Sequence, residues 1–406
     1  MRKKWKIAAI AVSVVLLTCS CAVKSNDGEE RVPSVNKTDE NENKQQGNLD
    51  MLKPSAYAEV EGLNLEPGTY ISIIGKSADG EFWKAVKAGA ERAVDDINNM
   101  LDYEGEDKVK VVYSGPGEAE NVDEQVNILD EELARYPAAV GISIIDAQSC
   151  DVQFDLAAEN DIPIVVFDSA SNYQGIMAKV STDNAKAARV AADNLASAVG
   201  ERGDVIIFAH DSKSLTSKER TDAFTEEIRE NYPKVDVANV YHMDNYEEIK
   251  KMIADEMNGK TQGSEDESQP GDGTSDQEQP AEDAASPEDI TDEQVMEYIF
   301  EKNPDVKGIY ATNGEAVMTA VHACEDLKKD DVAIIGFDAS KEEQEAVKDG
   351  KIAGLVVQNP YGMGYGTVVA AARSILSQGN EAEIDSGYIW VTKDNIKEKT
   401  VTRILY

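Results

Sequence analysis

Polar side chains close several apolar runs of this 406-residue chain: Asp146 follows "ISII", Asp168 follows "IVVF", Asn313 follows "IYAT", Asp338 follows "IIGF" and Gln358 follows "LVV". A carboxylate accepts hydrogen bonds in pairs and an amide both accepts and donates, so such a set suits the hydroxyls of a small polar solute. One residue of this kind at a strand end is usually a helix N-cap, and Asp146 and Asn313 fit that role by themselves. Five at equivalent ends point to a lined cleft. An aromatic pair adds a flat wall. In "SADGEFWKAVKAGA", Phe82 and Trp83 stand side by side where "TYISIIG" gives way to a helix, although the chain holds only three Trp and seven Phe. The helix is marked by Phe82, Val86, Gly89 or Ala90, Ala93, Ile97 and Leu101, an apolar stripe at steps of three and four. Adjacent positions on it lie about 100° apart, so no more than one ring belongs to the stripe. Either both rings are core, or one faces the strand end, where open α/β sheets keep their ligands and a ring can cover the C–H face of a sugar.

Catalytic groupings are missing. His210, His242 and His322 are isolated from one another, and the chain has no "GxSxG", "HExxH", "CxxC" or "GxxxxGK[ST]". Neither an enzyme nor a cofactor or metal site is expected. The glycine cluster "PYGMGYG" at 360–366 lacks the spacing of a dinucleotide fingerprint and the Lys of a phosphate loop, and is read as a loop entering a helix.

These residues need elements to position them, and the elements are legible from Thr69 onward. Nine Val- and Ile-rich runs, from "TYISIIG" to "IAGLVVQ", alternate with amphipathic stretches such as "NAKAARVAADNLASAV" and "GEAVMTAVHACEDL". Continuous apolar strands separated by helices predict an α/β fold with parallel sheets covered on both faces. Nine strands are too many for one sheet of this size, so two lobes follow. Cys150 and Cys324 lie far apart in apolar helical stretches and are read as buried small hydrophobes.

Both the start of the chain and one internal segment fall outside this pattern. "MRKKWK" and the apolar run "IAAIAVSVVLL" form an export signal too short to span a bilayer. The "TCSCA" that follows resembles a bacterial lipobox, which implies acylation of Cys21, with Cys19 as the alternative and an ordinary cleaved signal as the plain one. Residues 1–21 are thus a signal peptide, and polar residues 22–67 a flexible tether. Residues 259–293 carry twelve Asp or Glu against one Lys, and 259–288 are expected to be a disordered acidic insert without the spacing of a calcium loop. The net charge of −38 excludes nucleic acid as a partner.

Taken together, "GKSADGEFWKAVKAGAERA", "NDIPIVVFDSASN", "VSTDNAKAARVAADNL", "SKERTDAF", "GIYATNGEAVMTAV", "VAIIGFDAS" and "GKIAGLVVQNP" resemble the type I periplasmic binding proteins of the ribose- and galactose-binding class. The resemblance implies two Rossmann-like lobes joined by three hinge strands: residues 68–181 with 359–386, and residues 182–358 with 387–406. It places ligand contacts at Asp79, Phe82, Trp83, Ser143, Asp146, Asp168 and Ser169 in the first lobe. In the second it places them at Arg220, Tyr246, Asn313, Asp338 and Gln358. Ribose-type binders carry an Arg where this chain has Ser169 and an Asn where it has Gly80. That difference points away from ribose to another sugar, a polyol, or a cationic molecule held by Asp79, Asp168 and Asp338.

The function implied is non-enzymatic: an exported, lipid-anchored solute-binding protein on the outer face of the cytoplasmic membrane, delivering a sugar or polyol to the permease of an ABC-type importer. The alternative is a sensor signalling to a membrane receptor kinase. A transcription repressor with this core would need a helix-turn-helix and a basic face, which an exported acidic chain lacks.

Overall fold

The central Val- and Ile-rich runs become strands with little or no exposure on either face, because helices cover both sides of each sheet, while the edge runs at 110–114 and 235–242 stay partly exposed. A computed structural model describes residues 37–259 and 285–406. The export signal, Cys19, Cys21 and most of the acidic insert lie outside them.

The first sheet is built from β1 (Tyr70–Ile74), β2 (Lys110–Ser114), β3 (Ala139–Ile142), β4 (Ile164–Phe167) and β5 (Ala178–Ser181). The second takes β6 (Gly203–Ala209), β7 (Val235–His242), β8 (Val306–Ala311), β9 (Ala333–Phe337) and β10 (Gly354–Gln358). The chain then returns to the first sheet with β11 (Glu383–Asp385) and to the second with β12 (Tyr388–Val391). The strand orders, β11-β5-β4-β3-β1-β2 and β12-β10-β9-β8-β6-β7, match position by position. All neighbours are parallel except β10 and β12, which pair antiparallel. The short β5 and β11 carry too few apolar residues to register as strands by pattern, and β12, though apolar throughout, is only four residues long.

Helices α1 (Lys37–Leu49), α2 (Glu81–Leu101), α3 (Val122–Leu133) and α4 (Asp151–Glu159) precede the first crossing. Helices α5 (Asn184–Ala198), α6 (Leu215–Asn231), α7 (Tyr246–Met257), α8 (Asp292–Lys302), α9 (Gly314–Asp326) and α10 (Lys341–Asp349) flank the second sheet. Helix α11 (Pro360–Ile375) returns to the first, and α12 (Lys399–Thr402) closes against the second.

Three expectations are corrected here. The glycine cluster at 360–366 is the first two turns of α11, not a loop: Asn359 caps it by accepting from Gly362 N at 2.9 Å, and Pro360 opens it. Its Gly364 faces α2, where an added Cβ would sit 1.9 Å from Val86 O, and Gly89 meets Tyr361 O at the same 1.9 Å. The two helices therefore approach backbone to backbone, which offsets the poor helix propensity of Gly.

The tether is shorter than 22–67. Residues 37–49 form α1, and Leu49, Leu52, Tyr57, Leu63 and Leu65 are buried in the first-lobe core. Each such side chain contributes roughly 1.5–3 kcal/mol, enough to hold a segment whose apolar residues are too scattered to show a period. Lys53 pairs with Asp385 through two backbone bonds of 2.9 Å, so this strap also extends the edge at β11.

The insert ends earlier than 288. Ser286 caps a short 3-10 turn at Pro287–Asp289 in a capping box, and Ile290 is buried. Asn258 closes the gap at its base, donating to Ala285 O at 2.9 Å and accepting from Ala285 N at 3.0 Å.

Cys150 and Cys324 are free and buried. The three crossings between sheets are tied together. Thr182 Oγ1 donates to Gln358 Oε1 at 3.0 Å, and Asn359 Nδ2 donates to Ser386 O at 2.8 Å.

Candidate functional site

The carboxyl ends of both sheets face one another, and the backbone there is specialised. Asp168 after β4 and Asp338 after β9 both adopt left-handed φ, 54° and 79°, which turns each carboxylate away from the path of its strand. Each is anchored by its own N–H at 3.0 Å, Asp168 to Val180 O of β5 and Asp338 to Val356 O of β10. The strain falls at the same position in both lobes, as is common where geometry serves a site.

In the first lobe Ser143 Oγ donates to Asp168 Oδ2 at 2.8 Å, while the fully buried Ser169 Oγ has no partner among the described residues. Gln125, absent from the sequence-based set, is 0% exposed and ties the loops after β1 and β3: it donates to Gly75 O at 3.0 Å and Ser143 O at 2.8 Å, and accepts from Ile145 N at 3.0 Å. Asp146 is half-buried and accepts from Gln148 N at 3.0 Å, the local turn role that its position allowed. Asp79 is exposed, its carboxylate 3.5 Å from Lys84 Nζ.

Lys76 is the largest omission of the sequence-based set. Its side chain is 4% exposed, and its nearest carboxylate is Glu120 Oε1 at 3.9 Å, beyond hydrogen-bond distance. Burial works to lower its pKa, but Glu120, Asp168 and the second lobe's Asp211 together outweigh it and keep the ammonium charged. Nothing in "IIGKSADG" separates such a Lys from a surface one.

Phe82 and Trp83 form a T-shaped pair, centroids 4.9 Å apart at 77°. Both are half-buried. Trp83 leans edge-on towards Phe167 at 6.4 Å, and Phe82 reaches across to Tyr406 at 5.9 Å. Both rings border the first-lobe core, yet they stand at its edge over the strand ends.

In the second lobe Arg220, on α6, is 2% exposed. Its guanidinium donates to Asn184 Oδ1 at 2.9 Å, Thr312 O at 2.7 Å and Gln358 Oε1 at 2.9 Å, and lies 4.0 Å from the Phe337 centroid. Three of its five N–H groups are occupied, leaving two. Gln358 Nε2 passes the network on to Asp338 Oδ1 at 2.7 Å, while Asp338 Oδ2 accepts from Gly314 N at 3.0 Å. Asn313 is the N-cap of α9, accepting from Ala316 N at 2.9 Å. Beside this wall, burial holds the His210 imidazole well below its ordinary pKa of 6.5 even with Asp211 next to it, and Thr312 Oγ1 lies 2.6 Å from its Nδ1.

Tyr246 is not brought to this group. It opens α7, donates to Met243 Sδ at 3.7 Å, and lines a separate pocket of about 350 Å³ with Met296, Glu315 and His322. The correspondence that placed it in the cleft rested on chain order, and its ring packs instead against the second-lobe core.

The lobes meet at the mouth of the cleft. Both oxygens of Glu81, at the start of α2, engage Lys341 at the start of α10, one through the backbone N–H at 2.9 Å and the other through Nζ. A carboxylate of one lobe thereby sits at the positive end of a helix of the other. Ala147 N to Lys213 O, at 3.4 Å, and Lys179 Nζ to Glu219 Oε1, at 2.9 Å, add further contacts between lobes.

Two lobes of almost wholly parallel sheet, three crossings and a polar cleft between matching strand ends define a type I periplasmic binding protein, a solute-binding protein. The periplasmic binding protein domain family matches residues 71–263 and 274–380, and the chain belongs to it. Among curated relatives, the ribose import binding protein RbsB of Escherichia coli is 20% identical over 313 residues, covering 77% of this chain and 87% of that one. The D-apiose import binding protein of Actinobacillus succinogenes is 22% identical over 364 residues, covering 86% and 97%. Among solved structures, a carbohydrate transporter solute binding protein of Agrobacterium radiobacter in complex with D-arabinose superposes with a TM-score of 0.64 at 25% identity, covering 83% of this chain and 99% of that one.

Proposed function

We propose that the protein is an extracytoplasmic, lipid-anchored binding component of an ABC-type importer, and that it captures a small sugar between its lobes. One observation carries the sugar reading: the cleft joins two unlike polar walls, Lys76 with Ser143 and Asp168 on one side and Arg220, Gln358 and Asp338 on the other, beside the half-buried Phe82–Trp83 pair. Fixed acceptors, donors with free N–H groups and an aromatic edge match the alternating hydroxyls and C–H faces of a sugar ring. The ligand set is Lys76, Phe82, Trp83, Ser143, Asp168, Ser169, Arg220, Asp338 and Gln358.

The importer role is supported by the relatives, which are named import binding proteins for ribose and D-apiose, and the lipid anchor by the "TCSCA" that follows the apolar run. A solute touching both walls gains contacts only when the lobes are together, so it shifts the hinge equilibrium towards the closed form. A thermal-shift screen over pentoses, hexoses, polyols and amines tests the reading. A sugar at 100 times its dissociation constant stabilises the fold by about 2.7 kcal/mol, whereas stabilisation by amines alone would replace the sugar with a cation.

A further inference from the structure

The residues after α12 run into the cleft. Ile404 and Leu405 are buried in the second-lobe core, Lys44 Nζ donates to Leu405 O at 2.5 Å, and Gln344 Nε2 donates to Tyr406 O at 3.2 Å. With its backbone fixed in this way, the half-buried Tyr406 projects between the lobes. Its ring meets Phe82 edge-on, at 5.9 Å and 81°, and its hydroxyl donates to Asp338 Oδ1 at 3.1 Å. That oxygen also accepts from Gln358, and Oδ2 accepts from Gly314 N, so three of the roughly four acceptor sites of the carboxylate are taken. Tyr406 also lines a pocket of about 420 Å³ between α1, α2 and α11, walled by Ala85, Ala88, Pro360, Tyr361 and Leu405. The ring therefore stands as a partition, with the cleft on one side and a void of ligand size on the other.

We propose that Tyr406 is a specificity-determining residue that ends the cleft against Phe82 and leaves Asp338 one free acceptor site, so that the solute is a single sugar ring and not an oligosaccharide. This rests on the sugar reading above. A second ring extending past Phe82 would meet the Tyr406 ring, and a pair of adjacent hydroxyls could not both donate to Asp338 while the phenol occupies Oδ1.

The test is calorimetric titration of the wild type, Tyr406→Phe and Tyr406→Ala with D-ribose, D-arabinose, D-galactose, cellobiose and lactose. In the wild type the best single-ring sugar should bind at least about 100-fold tighter than either disaccharide. Tyr406→Ala joins cleft and pocket and should narrow that ratio by about tenfold or more. Tyr406→Phe keeps the partition but frees an acceptor on Asp338, so it should keep the ratio and change the preference among the three monosaccharides by about fivefold. If melting shows that the Ala variant does not fold, Tyr406→Leu takes its place, since it also opens the partition. A wild type that binds disaccharides as well as single rings overturns the proposal, and so does an Ala or Leu variant whose ratio stays within twofold of wild type or a Phe variant with an unchanged order of monosaccharides. A wild type that binds none of the five removes the sugar reading and this proposal with it, an outcome distinct from normal binding with indifferent variants.

Discussion

Arg220 Nη2 donates to Gln358 Oε1 at 2.9 Å, and the same oxygen accepts from Thr182, so a helix of the second lobe is bonded to two of the three crossings between lobes. The residue that resemblance assigns to clamping a sugar is also a brace of the hinge. Arg220→Ala would leave the amide of Asn184, the carbonyl of Thr312 and Gln358 short of donors in a buried site, at about 1–3 kcal/mol each. Chemical denaturation should show a loss of at least about 3 kcal/mol. Arg220→Lys should restore little of it, because an ammonium cannot reproduce the planar fork over Phe337. A variant of wild-type stability would mean that the network is dispensable.

Trp83 stands at the edge of a core and not within it. Trp83→Ala should therefore cost less than the roughly 3–5 kcal/mol of a fully buried aromatic, about 2 kcal/mol by urea melts, while weakening ligand binding by tenfold or more. Full-scale destabilisation with normal affinity would make the ring purely structural.

His210 supplies a pH signature. Folded, its imidazole is held neutral by burial, so the unfolded chain takes up a proton near pH 6.5 that the folded protein refuses until much lower pH. At this site the unfolded state then binds more protons, so the contribution of His210 to stability falls as pH falls below 6.5, by at most about 1.4 kcal/mol per unit, against the opposite contribution of Glu343, whose carboxyl is pushed up to about 8 by burial. In stability measurements between pH 7 and 5, His210→Asn should flatten this slope. An unchanged slope would assign it to other groups.

Asn258 and Ala285 hold the ends of the acidic segment together through their two hydrogen bonds. Replacing residues 260–284 with a short Gly-Ser linker should leave melting and sugar affinity unchanged, since closure entropy varies slowly with length. A tenfold loss of affinity would place the segment at the ligand.

The sheets were legible because runs such as "IPIVVFD" and "VAIIGFD" are apolar throughout, the mark of strands covered on both faces. β5 and β11 were not, since "AKVS" and "EID" owe their place to neighbours already formed. The strap at 37–65 is illegible for a related reason: Leu52, Tyr57, Leu63 and Leu65 are spaced for grooves on the finished lobe and not for a helix or strand of their own. In the site, Asp168, Asp338 and Gln358 declared themselves by ending strands. Lys76 and Tyr406 did not, because a Lys in a loop and a Tyr after a short helix carry no periodic mark, and their neighbours come from distant parts of the chain, Glu120 and Asp211 for Lys76 and Phe82 and Asp338 for Tyr406.

The matching strand orders place Asp168 and Asp338 at corresponding ends of β4 and β9, with the same left-handed turn. The two walls of the cleft thus repeat one main-chain arrangement at this position, although β11 runs parallel to β5 and β12 antiparallel to β10. The side chains differ, Ser143 standing by one carboxylate and Tyr406 with Gln358 by the other. The orientation of a bound molecule is therefore written in the side chains that differ between two matching strand ends, and not in the strands themselves.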